Sequence, residues 1–294
     1  MSMPSPSAFH LTLPQAPAMP VVFDSPHSSR AFPEGFTTVA PEEALLTTWD
    51  AYVDELWAGV PELGGTLLAA AFPRAYIDAN RSINDIDAAL LAEPWPTPLQ
   101  PESYTARGMG LIRRFALPGV PMYDAPLSLA EVRARIDQYY LPYRAALEAA
   151  LDGAWQQFGH VWHVDCHSMK SRGNAMNEDN GALRPDVVVS DRSGTSADPA
   201  FTAWVADTLR ALGFRVQIND PYRGGDLVRS YGNPAAQRHS IQIELNRALY
   251  MNEATCEKHD GFEVLRGQLT RFVEALRGYV GEQLRHEQLN NQKG

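Results

Sequence analysis

The sequence predicts an α/β protein built on a mostly parallel sheet with helices on both faces. Short apolar runs rich in valine and isoleucine alternate with longer segments of helical periodicity along the chain. Glycine- and proline-rich turns separate them, as expected where strands and helices exchange direction.

Taken in order, residues 1–18 are rich in Pro, Ser and Ala and read as a loose arm; residues 19–294 read as one domain. Residues 21–23 form a short strand stopped by Ser25-Pro26. Pro41-Glu42-Glu43 opens a helix, because proline and acids suit a first turn. Leu45, Leu46, Trp49, Val53, Leu56 and Trp57 continue it at helical spacing. Residues 66–71 and 75–77 read as strands. Residues 84–128 are irregular and proline-dotted, a long connection of the kind that often serves as a functional loop or lid. Val132, Ile136, Tyr139, Tyr143, Leu147 and Leu151 mark a second helix, with Pro142 able to kink it. A strand follows at 161–166, a polar loop at 170–184 and a short strand at 187–189. An amphipathic helix over 198–212 is closed by Gly213, the residue expected just past a helix end. Strands at 214–218 and 241–245 flank a Gly/Pro/Arg loop at 219–234, and a long helix over 262–284 ends the pattern.

The 294 residues are 45% hydrophobic and 20% charged, a globular composition without an internal repeat. A formal net charge of -10 disfavours nucleic acid and anionic membranes as partners. Arginines nevertheless cluster near the candidate site, so a basic pocket for a small anionic substrate is compatible with an acidic chain. The two cysteines form no CxxC pair, which argues against a disulfide framework and a cysteine zinc site; Cys166, in an apolar strand, reads as a buried thiol. No segment approaches a membrane span, and the N-terminus lacks a secretory pattern, so a cytoplasmic location is expected. No GxSxG, GxGxxG or P-loop string is present.

The chemistry concentrates at strand ends. His27 follows the first strand, His167 directly follows the strand at 161–166, and Glu244 lies in the strand at 241–245. Side chains beyond the carboxyl ends of strands line the ligand crevice in such folds. Two imidazoles and a carboxylate gathered there are the raw material of a hydrolytic zinc site. Alone, His27 reads as a turn histidine. His167 shares a strand face with Asp165, a suitable outer hydrogen-bond partner for a ligand histidine. His163 shares that parity but lies deeper and reads as a packed core residue. Asp50, Asp54 and Glu55 are candidates for a third ligand, with Asp54 at the edge of the apolar helix face favoured. Glu244 reads either as a general base or as the partner of Arg247. Asn80-Arg81 could grip a carboxylate; Arg223 and Arg229 supply further positive charge from a glycine-bearing loop.

At these residues the chain resembles the N-formylglutamate amidohydrolase family. The matching strings are Ser25-Pro26-His27-Ser28, Val53-Asp54, Asp78-Ala79-Asn80-Arg81, Asp165-Cys166-His167-Ser168, Tyr222-Arg223-Gly224-Gly225, Arg229-Ser230-Tyr231-Gly232, Gln242-Ile243-Glu244-Leu245-Asn246 and Tyr250-Met251-Asn252-Glu253. They occur in family order over residues 21–253. The resemblance implies a three-layer α/β/α, zinc-exopeptidase-like (phosphorylase/hydrolase-like) fold, shared distantly with carboxypeptidases and aspartoacylases. It implies zinc, or another divalent ion, at His27 and His167, with Asp165 behind. It further implies Glu244 as base, Arg223 beside the reacting carbonyl, and Asn80, Arg81, Arg229 and Tyr231 around the substrate. The distant relatives place a ligand Glu three residues after the first histidine, where this chain has Arg30, so the third ligand is assigned to Asp54. The usual DLNR string reads DANR here, which spares the polar pair. The implied reaction is hydrolysis of N-formyl-L-glutamate to formate and glutamate, as in histidine degradation. Another N-acyl amino acid deacylase, a small exopeptidase and a non-catalytic binding protein are the alternatives.

Overall fold

A computed structural model describes residues 7–177 and 179–291. Among the described residues nine strands run in chain order: β1 (Phe9–Thr12), β2 (Val21–Ser25), β3 (Thr66–Ala70), β4 (Phe115–Leu117), β5 (Val120–Pro121), β6 (Val161–Met169), β7 (Val187–Ser190), β8 (Val216–Ile218) and β9 (Arg238–Asn246). The helices are α1 (Glu42–Leu46), α2 (Val53–Leu56), α3 (Leu129–Arg135), α4 (Leu141–Phe158), α5 (Pro199–Ala211), α6 (Asp226–Tyr231) and α7 (Gly261–Asn291).

Seven strands form one mixed sheet in the order β1-β3-β2-β6-β9-β7-β8. β3, β2, β6 and β9 are parallel, whereas β1 is antiparallel to β3 and β7 antiparallel to β9. Helices cover both faces, which is the three-layer arrangement expected. On one face Phe23, Trp162, Val164, Cys166, Ile241 and Ile243 pack with Phe201 and Leu209 of α5 and Leu269 and Phe272 of α7. Each such side chain buried contributes on the order of 1.5–3 kcal/mol. On the other face Val22, Leu68 and Val161 pack with Tyr143, Leu147 and Leu151 of α4.

Strand parity then has a consequence for function. Trp162, Val164 and Cys166 face α5 and α7, so His163, Asp165 and His167 must face the α4 side. Asp24 Oδ1 lies 2.8 Å from His163 Nε2, and His163 Nδ1 lies 2.7 Å from Ser240 Oγ; Tyr143 of α4 donates to Asp24 Oδ2 at 2.6 Å. His163 is buried, but within a polar column rather than an apolar core. Cys166 is fully buried, and burial pushes its thiol well up.

Several elements differ from the sequence reading. The arm over 1–18 contains an edge strand, β1; residues 1–6 lie outside the described residues. The helix read from 41 to 57 is two short helices, because Tyr52 adopts the left-handed conformation (φ 61°) and the Asp50 N–H bonds the His27 carbonyl. The run 75–77 is a buried turn following Pro73, not a strand; a short apolar run cannot be classified by periodicity alone. Residues 84–128 carry the β4–β5 hairpin, and the loop at 219–234 hides α6. Pro142 sits where a wide π-turn, Ile136–Tyr140, joins α3 to α4. Proline has no N–H to continue the α-helical ladder there. Among the described residues no helix is long and apolar enough to cross a membrane.

Candidate metal centre and anionic pocket

Three elements bring the centre together at the carboxyl ends of the parallel strands. His27 lies two residues past β2, His167 is in β6, and Asp50 lies in the break between α1 and α2. The Nδ1 atoms of His27 and His167 are 3.1 Å apart; Asp50 Oδ2 is 2.9 Å from the second and 3.4 Å from the first. All three side chains are buried.

These spacings suit a divalent ion. Ligands roughly 2.0–2.2 Å from a tetrahedral ion lie about 3.3–3.6 Å from each other; the Asp50–His27 spacing of 3.4 Å falls in that range, and the 3.1 and 2.9 Å spacings reach it by opening a few tenths of an ångström. Two imidazole nitrogens and one carboxylate oxygen face a common point, and no single proton could bridge all three. Among the described residues, this is the one group of three or more such side chains close enough to hold an ion.

Outer partners fix each ligand. His27 Nε2 lies 2.7 Å from Asp78 Oδ1, and His167 Nε2 lies 2.7 Å from Asp165 Oδ1, close but without the alignment of a good hydrogen bond. Such carboxylates set which ring nitrogen carries the proton and leave Nδ1 free to ligate. Asp50 Oδ1 accepts from Arg247 Nη2 at 2.9 Å. Burial works against the charged forms of Asp50 and Asp78. His167 and His27 outweigh it at Asp50, and Arg74 and His27 at Asp78, so both stay well below the usual carboxylate range. Burial likewise opposes a charged His167, yet Asp165 and Asp50 raise its pKa well above the ordinary imidazole value, so an ion binding at Nδ1 displaces a proton.

Asp54 does not join the centre. The assignment to Asp54 assumed one continuous helix; the break at Tyr52 turns Asp50 inward instead. Asp54 lies in the first turn of α2, its N–H bonding Ser28 Oγ, and burial pushes its carboxyl pKa up. Nor does Glu244 pair with Arg247, which serves Asp50 and Ser168.

The centre forms one wall of a cavity of about 170 Å³. Glu244 stands beside His167 in the β6–β9 register, buried and bonded to Gln242 Nε2 at 2.9 Å. Burial pushes its carboxyl up, His167 partly opposing. Arg74, Arg81, Arg113 and Arg184 also line the cavity, with Arg223 at its exposed rim. Arg81 donates Nε to the Met109 carbonyl and stacks over Tyr104.

Three predicted substrate residues are engaged differently. Asn80 lines the cavity, but its Nδ2 donates to Asp165 Oδ2 at 2.9 Å and its Oδ1 accepts from the Leu227 N–H at 2.8 Å. Its amide orients the centre and anchors α6. Gly225 lacks a side chain because a Cβ there would overlap that amide. Arg229 points away, to Glu102 and Asp226. Tyr231 bonds the Arg144 carbonyl and packs on His163, outside the cavity lining.

Residues with a place here that the sequence reading did not assign are Asp78, Arg74, Arg113 and Arg247. Asp78 belongs to a matching string, and Arg247 lies close enough to Glu244 in sequence to suggest that pair instead. Nothing local marks Arg74 or Arg113.

A sequence model described as N-formylglutamate amidohydrolase matches residues 19–251. The solved structure of N-formylglutamate amidohydrolase from Ralstonia eutropha JMP134 is 44% identical, superposes with a TM-score of 0.88, and covers 94% of this chain and 99% of its own. The N-formylglutamate deformylase of Pseudomonas aeruginosa is 28% identical over 264 residues, 88% of this chain and 92% of the relative. That of Pseudomonas putida is 28% identical over 239 residues, 80% and 83% respectively.

Proposed function

The chain belongs to the N-formylglutamate amidohydrolase family, and from that premise we propose that it hydrolyses N-formyl-L-glutamate to formate and L-glutamate with zinc at His27, Asp50 and His167. The observation that carries this reading is the convergence of two Nδ1 atoms and a carboxylate oxygen within 3.4 Å of one another, beside a buried Glu244. Bound there, zinc would polarise the formyl carbonyl and lower the pKa of water at the site.

The chain's own groups do the rest. Glu244 takes a proton from the water that attacks the formyl carbon, and returns it to the amine nitrogen as the C–N bond breaks. A carboxyl raised by burial is suited to both halves of that exchange. Asp78 and Asp165 keep the two imidazoles oriented. Arg81 grips a substrate carboxylate, and Arg223 reaches in from the rim to meet charge developing on the carbonyl oxygen. Asn80 acts through Asp165 and α6 in this reading, not on substrate.

The test is an assay of formate and glutamate release by zinc-loaded protein, run beside N-acetyl and N-formyl derivatives of other amino acids. Release of both products from N-formyl-L-glutamate is expected. Preference for an acetyl substrate would overturn the acyl assignment.

A further inference from the structure

Arg113 is 6% exposed, and its guanidinium makes no hydrogen bond or ion pair to any described residue; Nε in particular is buried without a partner. A buried charge is tolerated when it is paired or employed. The other arginines of the cavity are accounted for: Arg74 meets Asp78 and Asp50, Arg81 reaches Asp78 at 4.0 Å and bonds the Met109 carbonyl, Arg184 meets Asp179, and Arg247 meets Asp50. Arg223 is exposed and solvated. Arg113 is therefore the enclosed cation on this wall that lacks a counter-ion.

The backbone holds it there. Leu111 donates to the Asp85 carbonyl at 2.7 Å and accepts from the Asp78 N–H at 2.8 Å. Met109 bridges to Arg113 and takes the Arg81 Nε–H. Leu111 and Ile112 are fully buried anchors. The segment 109–113 is thus stitched to the segment 78–81 that carries Arg81. Burial, together with the nearby Arg74 and Arg81 guanidinium groups, pushes Arg113 down to about 9, so it remains charged at neutral pH. A fixed, desolvated, unpaired fork is preorganised for a carboxylate, which it can bind through two parallel hydrogen bonds.

We propose that Arg113 anchors the side-chain carboxylate of the substrate, so that the long connection over 84–128 makes the cavity selective for N-formyl derivatives of dicarboxylic amino acids. This rests on the deformylase reading and assigns within it the residue that selects glutamate over glutamine.

The experiment compares wild type, R113Q and R113K on N-formyl-L-glutamate and N-formyl-L-glutamine, with calorimetric binding of glutarate and butyrate and thermal unfolding of each protein. R113Q should lose about 30- to 1,000-fold in kcat/KM for N-formyl-L-glutamate, mostly through KM. It should stay within about threefold of wild type on N-formyl-L-glutamine. R113K, keeping charge without the fork, should fall between. Glutarate should bind wild type more tightly than butyrate does, and R113Q should erase that difference. Unfolding of ligand-free R113Q should occur no lower than wild type, because an unpaired charge has been removed; a merely structural arginine would lower it. Equal loss on both substrates, or no loss on either, overturns the proposal. If wild type cleaves neither substrate while its glutarate preference depends on Arg113, the deformylase reading fails and the anchor stands.

Discussion

Arg247 and Asp50 lie 197 residues apart in sequence and 2.9 Å apart in space, Nη2 to Oδ1. The pair leaves Oδ2 turned to the two histidines. Arg247 also donates Nε to Ser168 Oγ, so it ties Asp50 to the end of β6. Outer partners of this kind commonly account for 10- to 100-fold in metal affinity. R247M should weaken zinc binding by about that factor, read by competition with a chromophoric chelator. Unchanged affinity would mean that Asp50 is oriented without Arg247.

Asp50 and Asp54 can be separated directly. Both are acids of one short segment, but only Asp50 reaches the histidines. D50N should bring zinc content below stoichiometric and abolish turnover, whereas D54N should retain metal and most activity. Zinc per protein after dialysis decides between them. Retention by D50N with loss by D54N would restore Asp54 as the ligand.

Glu244 supplies a pH dependence with a definite sign. Burial raises its carboxyl above the ordinary value of 4.5, with Asp50 adding to the rise and His167, Arg74 and Arg184 opposing it. Only the ionised form is a base, so the acid limb of kcat/KM should lie above the normal carboxylate range and rise with pH. E244Q should keep zinc, lose roughly 10²- to 10⁴-fold in rate and show no such limb. A Gln variant with wild-type activity would remove Glu244 from the mechanism.

How much of this was readable from the chain depends on range. β2, β6 and β9 were legible because each is an apolar run with punctuation, and strand ends position His27, His167 and Glu244 almost automatically. Asp165 followed from period two alone. Asp50 was harder, since helical spacing put Asp50 and Asp54 on one face while the left-handed Tyr52 breaks that helix. No periodicity reports a single φ angle. Arg229 and Tyr231 looked like site residues because they share a motif with a glycine loop; α6 instead directs Arg229 to Asp226 and Glu102. Arg113 carried no signal, as its meaning lies in what fails to surround it.

Asp226 couples acid stability to the architecture around the centre. It sits in the first turn of α6, accepting from Arg144 Nη1 of α4 at 2.6 Å and pairing with Arg229. The next residue, Leu227, donates its N–H to Asn80, which in turn holds Asp165. Burial disfavours the ionised Asp226, but Arg144 and Arg229 outweigh it, and the folded-state pKa falls below the ordinary 3.8. The folded protein therefore binds fewer protons than the unfolded chain across that interval. The stabilisation is complete above about pH 4 and is lost as pH drops through the folded-state value. D226N should reduce stability at pH 7 by about 1.5–3 kcal/mol, the usual worth of hydrogen bonds to a charged group. The gap from wild type should shrink toward pH 3, as wild-type Asp226 is itself neutralised. Urea unfolding of both proteins at pH 7 and pH 3 measures this directly; a gap of equal size at both values would show that Asp226 stabilises α6 by packing and not by charge.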